Sequence, residues 1–396
     1  MQMIEIGEVC EVYDGPHATP KKTSDGPIYL GIDAITDEGK INPMGYSYLS
    51  EDDFLIWTKR VTPKYGDLVF SYEATLGRYA LIPKGFHGCL GRRLAVVRPK
   101  DERINIKWLY YFFLSPAWKA FIDNNTVKGS TVNRISIEDF PKFKIPLIDR
   151  LEQDRIVNAL SVLDDKIDNN IAINDNLEQQ LQILFDYWFK QFDFPNENNE
   201  PYKRSGGKMY WDSVYKRNIP IGWEILKFDD LVATPPKTPS IMAPDYKNIG
   251  LYPIIDQASS YITGRTDDIF YVYPNEDDCV VFGDVTKVFK YINFPFAKGT
   301  DGTKIIRSIN NRIPALILYY LIKDAKLPNK GFARYYSLLR EIYVLVPSSD
   351  VSEKFIVATK PIVSKIRANL EENYKLQITR DWLLPMLMNG QATIDD

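Results

Sequence analysis

Glycine, hydroxyl and basic residues occur together in a few short stretches of this 396-residue chain. In the first half they supply Ser71, Thr75, Arg78, Arg92, Arg93, Lys128, Ser130, Thr131 and Arg134. In the second half they supply Lys287, Lys298, Thr300, Thr303, Lys304, Lys330 and Arg334. The runs Gly91-Arg92-Arg93 and Gly299-Thr300-Asp301-Gly302-Thr303-Lys304 are typical. Loops that carry cations, hydroxyls and free backbone N–H groups suit contacts to phosphate oxygens and base edges. The same composition also serves ordinary hairpin turns.

Motifs for covalent chemistry are missing. There is no G-x-x-x-x-G-K-[ST] phosphate loop and no G-x-S-x-G elbow. Thr234-Pro235-Pro236-Lys237 has the wrong first and last residues for an amino-methyltransferase motif and reads as a proline-rich loop. His17 and His87 lack the i+3 or i+4 partner of a metal site. Glu276-Asp277-Asp278 and Asp267-Asp268 read as solvated charge. Cys10, Cys89 and Cys279 are far apart and odd in number, as in a cytoplasmic protein with reduced thiols. No catalytic residue, metal ligand or cofactor is therefore assigned.

The elements that must carry these loops are strands followed by an apolar helix, in the same order twice. Strands are predicted at Asp67–Ser71, Arg78–Ile82 and Arg93–Arg98, then a helix over Trp108–Phe121. The second series is Asp278–Phe282, Lys290–Phe294 and Thr303–Ile309, then a helix over Ile313–Ile322.

The repetition extends further. Pro146 and Pro347 are 201 residues apart, as are Asp149 and Asp350, and Glu152 and Glu353. Asn170 and Asn369, Asn174 and Asn373, and Leu177 and Leu376 are each 199 apart. Asp149 and Glu152 have the spacing of a capping box, and Asp350 and Glu353 repeat it. Leu160, Leu163, Ile167, Asn170, Asn174, Leu177, Leu181 and Leu184 then follow in alternating steps of three and four, which is a heptad seam. The second copy offers Ile362, Ile366, Asn369, Asn373, Leu376 and Leu383. Buried asparagines at matching seam positions fix register and partner, so the two helices are expected to pair, antiparallel if the halves are related by a two-fold. The first helix should stop at Pro195; the second should break near Pro361 and bend near Pro385.

Composition supports this plan. With 45% hydrophobic and 13% aromatic residues the chain can bury sizeable cores. No apolar run is long enough to span a bilayer, and no secretion signal is visible at residues 1–7. The net charge of −3 is unevenly spread. Residues 147–195 carry ten acidic against four basic side chains, while residues 196–345 carry twenty basic against seventeen acidic. The helices are acidic and the globular segments weakly basic.

Lys144-Ile145-Pro146-Leu147, Leu151-Glu152-Gln153-Asp154-Arg155-Ile156-Val157 and Leu163-Asp164-Asp165-Lys166-Ile167, in this order, resemble the specificity subunit of Type I restriction–modification systems. Ser205-Gly206-Gly207-Lys208-Met209 followed by Ile219-Pro220-Ile221-Gly222-Trp223-Glu224 resembles that family's entry into its second recognition domain. Arg380-Asp381-Trp382-Leu383-Leu384-Pro385 to Gly390 is similar to its C-terminal end. The resemblance implies an α+β chain: two pseudo-repeated target-recognition domains, residues 1–146 and 196–347, joined by helical segments 147–195 and 348–396 that pair as an antiparallel coiled coil. It implies a non-catalytic reader of a bipartite double-stranded DNA target. The helices would act as a ruler and hold two methyltransferase (modification) subunits, with restriction and translocase subunits in the full assembly. The alternatives are a coiled-coil scaffold without a DNA role, an enzyme acting alone, or the specificity subunit of a methyltransferase-only system.

Overall fold

The computed structural model describes residues 2–128, 132–233, 238–273, 278–328 and 334–394. The chain divides into two compact units, Met1–Ile167 with Lys375–Asp396, and Asp168–Tyr374. The division runs through both long helices.

The first unit contains strands β1 (Gln2–Glu5), β2 (Cys10–Asp14), β3 (Thr23–Leu30), β4 (Ser47–Tyr48), β5 (Leu68–Ser71), β6 (Tyr79–Leu81), β7 (Gly88–Leu90), β8 (Leu94–Pro99) and β9 (Lys144–Leu147). Its helices are α1 (Ile6–Val9), α2 (Glu51–Trp57), α3 (Ile106–Leu114), α4 (Pro116–Asn125) and the first half of α5 (Arg150–Phe185). Four strands form a sheet in the order β2-β8-β5-β6. A second sheet, β4-β3-β7, contains the parallel pair β3–β7, and β1 closes antiparallel on β9.

The central strands are apolar throughout because both faces of the first sheet are covered. Leu68, Phe70, Ala95 and Val97 face a core built on α3 and α4, where Phe113 stacks on Trp118 with ring centroids 4.4 Å apart. The alternate residues Val69, Leu94 and Val96 face a second core with Leu30 and Leu90. The single helix expected over 108–121 is two helices. Ser115 caps the second through a bond from Trp118 N–H, and Pro116 opens it.

The second unit repeats this plan. Its strands are β10 (Met209–Asp212), β11 (Arg217–Pro220), β12 (Glu224–Lys227), β13 (Val232–Ala233), β14 (Tyr252–Ile255), β15 (Gly264–Thr266), β16 (Val272–Tyr273), β17 (Cys279–Gly283), β18 (Phe289–Ile292), β19 (Phe296–Lys298), β20 (Thr303–Ser308) and β21 (Tyr343–Val346). Its helices are α6 (Ala315–Ile322), α7 (Tyr336–Leu339) and most of α8 (Ser349–Met388). The order β13-β20-β17-β18 matches the four-stranded sheet of the first unit. The parallel pair β14–β19 matches β3–β7, and β12–β21 matches β1–β9. Val280, Phe282 and Ile306 face the α6 core, while Cys279, Val281 and Ile305 face the other sheet.

The long helices pair within each unit. In the second unit Asn170 Nδ2 donates to Asn373 Oδ1 and Asn369 Nδ2 to Asn174 Oδ1, both at 2.8 Å. Asn170 also donates to Glu372 at 2.8 Å. Partner numbers fall on α8 as they rise on α5, so the helices run antiparallel. All four amides are buried. Leu181, Phe185, Trp188 and Phe189 continue the seam with Val351 and Phe355. In the first unit Ile156, Val157 and Leu160 share a core with Leu384, Leu387 and Met388. Ile167 is buried, whereas Leu163, Leu177, Leu184, Ile362, Ile366, Leu376 and Leu383 are only partly covered.

Asp164 ties the first unit to its helices: Oδ2 accepts from the Tyr111 hydroxyl at 2.7 Å and Oδ1 from Arg380 at 2.9 Å. Burial works against the Arg380 charge, but the bonds to Asp164 and Asp381 outweigh it and hold the guanidinium above its ordinary range.

Three local expectations are corrected. α8 is continuous through Pro361 and Pro385. Each proline frees the carbonyl four residues earlier, on Val357 and Asp381, and both residues are exposed to water. The first helix does not run to Pro195; it passes into a π-turn at Asp186–Lys190, and Phe192 turns away with φ +65°. Asp149 accepts from Leu151 N–H at 3.0 Å, one residue short of a capping box, and Glu152 pairs with Arg155 instead. Asp350 lies inside the first turn of α8 and pairs with Lys354.

Replacing Asn170 alone by Leu strands the buried amide of Asn373 and should cost about 1–3 kcal/mol. Asn170→Leu with Asn373→Leu should recover that loss, because an apolar seam position favours pairing over a polar one. Thermal unfolding of the single and double variants checks this. Asp164→Ala should cost about 1–3 kcal/mol by leaving Arg380 and Tyr111 without their shared acceptor. Chemical denaturation of that variant measures the loss.

Candidate nucleic-acid interface

In each unit three loops are tied at one point by the same backbone hydrogen bonds. In the first unit, Tyr72 N–H donates to Arg93 O at 3.1 Å and Ile135 N–H donates to Tyr72 O at 2.8 Å. In the second, Asp284 N–H donates to Gly302 O at 2.8 Å and Tyr335 N–H donates to Asp284 O at 2.9 Å. The tied segments are the β5–β6 and β17–β18 turns, the β7–β8 and β19–β20 turns, and the segments ending at Ile135 and Tyr335. Arg134 and Arg334, which precede those last residues, hold equivalent places.

A further shared bond positions the second pair of turns. Gly91 N–H donates to Leu30 O at 2.7 Å, and Gly299 N–H to Ile255 O at 2.9 Å. A Cβ on Gly91 would collide with the Leu30 carbonyl; one on Gly299 would collide with the Tyr246 hydroxyl and Asp256 Cβ. Only glycine permits this approach.

The first knot gathers several of the expected contact residues. Thr75, Arg92, Lys128 and Arg134 are exposed, and the backbone of Arg134 bridges to both Glu73 and Val127. Arg93 is half-buried, with φ +75°, and its Nε lies 3.1 Å from Glu73. Arg78 is committed elsewhere: Nε donates to Asp37 at 2.7 Å and its guanidinium reaches the Ile32 carbonyl. Ser71 is a buried strand residue whose hydroxyl accepts from Arg78 N–H at 3.1 Å, which corrects its reading as a loop contact.

At the second knot, Lys304 and Arg334 stand 3.7 and 3.8 Å from Asp284. Lys287 has φ +62° and places its ammonium 4.2 Å from the Tyr335 ring centroid. Thr303 is buried opposite Gly283 and is likewise corrected from a contact to a strand residue. Lys298 ends β19 and Thr300 lies in the β19–β20 turn. Lys298 is held below the ordinary lysine range by burial and then by the neighbouring charge of Lys304. Thr300 N–H donates to the Tyr246 hydroxyl at 3.3 Å. Ser130, Thr131 and Lys330 lie outside the described residues, as do residues 234–237.

The carboxylates that organise these cations, Glu73, Asp37 and Asp284, do not stand out in the sequence. They act on partners twenty to fifty residues away, at no distinguishing spacing. The reactive side chains are quiet. Burial pushes the Cys10, Cys89 and Cys279 thiols up to about 12, so they stay protonated. Among the described residues no group of three or more His, Cys, Asp or Glu is placed to hold a metal ion, and no helix is long and apolar enough to cross a membrane.

Each unit thus combines a four-stranded sheet, a second sheet with a parallel pair and an apolar helix with three loops tied at one point. Residues 1–179 match the family model described as Type I restriction modification DNA specificity domain. The chain is 23% identical over 379 residues to the Type I restriction enzyme MjaIX specificity subunit of Methanocaldococcus jannaschii, covering 89% of this chain and 84% of that one. It is 26% identical over 133 residues to the HindI specificity subunit of Haemophilus influenzae, covering 33% of this chain and 29% of that one. The crystal structure of a Type I restriction-modification S subunit from M. genitalium shares the fold, with a TM-score of 0.52 at 17% identity, covering 100% of this chain and 96% of that one. Residues 1–179 thus match the model of Type I restriction modification DNA specificity domains, and over most of its length the chain resembles the specificity subunit of a Type I restriction enzyme.

Gly91→Ala and Gly299→Ala should each destabilise the protein by about 1–3 kcal/mol, because the clash lies on backbone or packed atoms that must move. Alanine at the open Gly85, whose neighbourhood holds nothing within 4 Å, should cost only the strain of its φ of +79°. The three melting temperatures test that order.

Proposed function

We propose that this chain is the non-catalytic DNA-reading subunit of a Type I restriction–modification complex. Each unit reads one half of a bipartite double-stranded target through its knotted loops. The observation that carries this reading is the repetition itself. Two units of the same topology each tie three loops at one point, with exposed or loosely held basic residues around it. A protein reading two half-targets needs one such surface per half.

The exposed residues Thr75, Arg92, Lys128 and Arg134 are the proposed contacts of the first unit, with Arg93 and Arg78 held behind them. Lys287, Lys298, Thr300, Lys304 and Arg334 are those of the second. Ser130, Thr131 and Lys330 remain proposed contacts by their sequence alone. Cations at phosphates position the protein, whereas an arginine that reaches a guanine edge specifies sequence.

The remaining functions fall to partners. Methyltransferase subunits, two per chain, would dock on α5 and α8; the acidic excess of α5 leaves the basic surface to the globular units. Restriction and translocase subunits would complete the assembly, and the two helices would set the count of unread base pairs. The chain alone should neither methylate nor cut DNA.

Exchanging residues 1–145 for the matching segment of a relative with another target, then mapping methylated sites genome-wide in cells carrying the partner subunits, tests the reading. One half of the methylated target should change and the other should persist. Change in both halves, or in neither, would overturn it.

A further inference from the structure

The two knots share a backbone but differ in the side chain at their centre. In the first unit that residue is Tyr72. Burial, then the charges of Asp14 and Glu73, push its phenol up to about 12, so it is neutral. In the second unit it is Asp284, a carboxylate whose side chain is only 3% exposed. A buried carboxylate is costly unless its charge is met by donors or cations, and here both kinds are present. Oδ1 accepts from Tyr336 N–H at 2.8 Å. Oδ2 faces two cations, Lys304 at 3.7 Å and Arg334 at 3.8 Å.

This arrangement differs from the structural ion pairs elsewhere in the molecule. Arg98 closes on Asp67 with two hydrogen bonds of 2.7 and 2.6 Å, and Arg340 closes on both oxygens of Asp229. One cation there saturates one carboxylate. At Asp284 two cations share one oxygen, and neither is within direct hydrogen-bond range. The Arg334 side chain remains 74% exposed. A third cation, Lys287, stands on the ring of Tyr335, the residue bonded to the Asp284 carbonyl. The knot thus carries more positive than negative charge, and the guanidinium donors of Arg334 are not consumed by its partner.

We propose that Asp284 is a positioning residue for half-target recognition by the second unit. Its carboxylate draws Lys304, from the start of β20, and Arg334, from the segment before α7, to one point, and orients them for a DNA ligand without neutralising them. The inference rests on the DNA-reading function proposed above. In the first unit this task falls to the neighbouring position, where Glu73 pairs with Arg93 at 3.1 Å. The two units therefore present their cations from different anchors on one scaffold, as suits modules that read different half-targets.

The test is selection from a pool of random-sequence DNA duplexes by the full-length chain, wild type against Asp284→Asn and Arg334→Gln. Asparagine keeps an oxygen for Tyr336 N–H while removing the charge. Asp284→Asn should lower enrichment at one half-target by about tenfold and leave the other half intact. Its affinity for unselected duplex should rise, because a negative charge beside the phosphates is gone. Arg334→Gln should lose enrichment at the same half-target, with a fall in affinity for unselected duplex. A purely structural Asp284 would not separate these two affinities in opposite directions. Retained enrichment at both halves with Asp284→Asn, or loss at a different half from that of Arg334→Gln, overturns the proposal. Should Asp284→Asn fail to fold, Lys304→Gln replaces it, and unchanged enrichment in both Lys304→Gln and Arg334→Gln overturns it equally. A wild-type chain that enriches no sequence would refute the DNA-reading function itself, and this inference with it.

Discussion

Four buried amides set the register of α5 against α8. Asn170 with Asn373 and Asn174 with Asn369 form a reciprocal pair of hydrogen bonds. A shift of either helix by one residue would break both bonds and leave the amides stranded in a low-dielectric seam, where an unmet polar group is expensive. An all-leucine seam would bind more tightly but tolerate several registers. The same two helices meet again at Asp164 and Arg380, six and seven residues further along. Both helices also serve as walls of the cores: Leu160 and Leu387 in the first unit, Phe185 and Phe355 in the second. Helix register and core packing are consequently one constraint.

Because the central strands of the two four-stranded sheets are covered on both faces, they have little freedom, and the turns that join them start from fixed points. Backbone bonds at Tyr72 and Asp284 then lock three turns together without calling on any particular side chain. Side chains at the knot can therefore vary without breaking these backbone bonds. Such a scaffold can change the residues it presents while its backbone stays the same, and the replacement of Tyr72 by Asp284 at the centre is an instance. The glycines at 91 and 299 are the exception, since the Leu30 carbonyl at one and the Tyr246 and Asp256 side chains at the other leave no room for a Cβ.

Charge is partitioned along the same lines. The segment 147–195 carries ten carboxylates, and those that face inward are spent on structure, as Asp164 is on Tyr111 and Arg380. Buried Asp67 and Asp193 are each closed by one arginine, Arg98 and Arg204. The knots depart from this, with partly paired cations exposed to water. A net-acidic chain can therefore still present local positive surfaces, and net charge alone is a poor guide to its ligand.

Much of this was legible in the residues. The long helices, their pairing through Asn170, Asn174, Asn369 and Asn373, and the central strands of both units follow from periodicity, because burial on one face imposes a 3.6 or two-residue rhythm on the chain. The repeat itself declared two similar units. Local continuity was harder to judge. Pro361 and Pro385 are tolerated where the residues whose carbonyls they free, Val357 and Asp381, are exposed, and a string of letters does not show which side of a helix is wet. The basic loops were visible as composition, but not which of their residues were already taken. Ser71 and Thr303 turned inward, and Arg78 found Asp37 forty-one residues away. Only the tertiary structure brought Asp284 to Lys304 and Arg334, since contacts between distant loops are set by sheet order and turn closure, and these leave no period in the sequence.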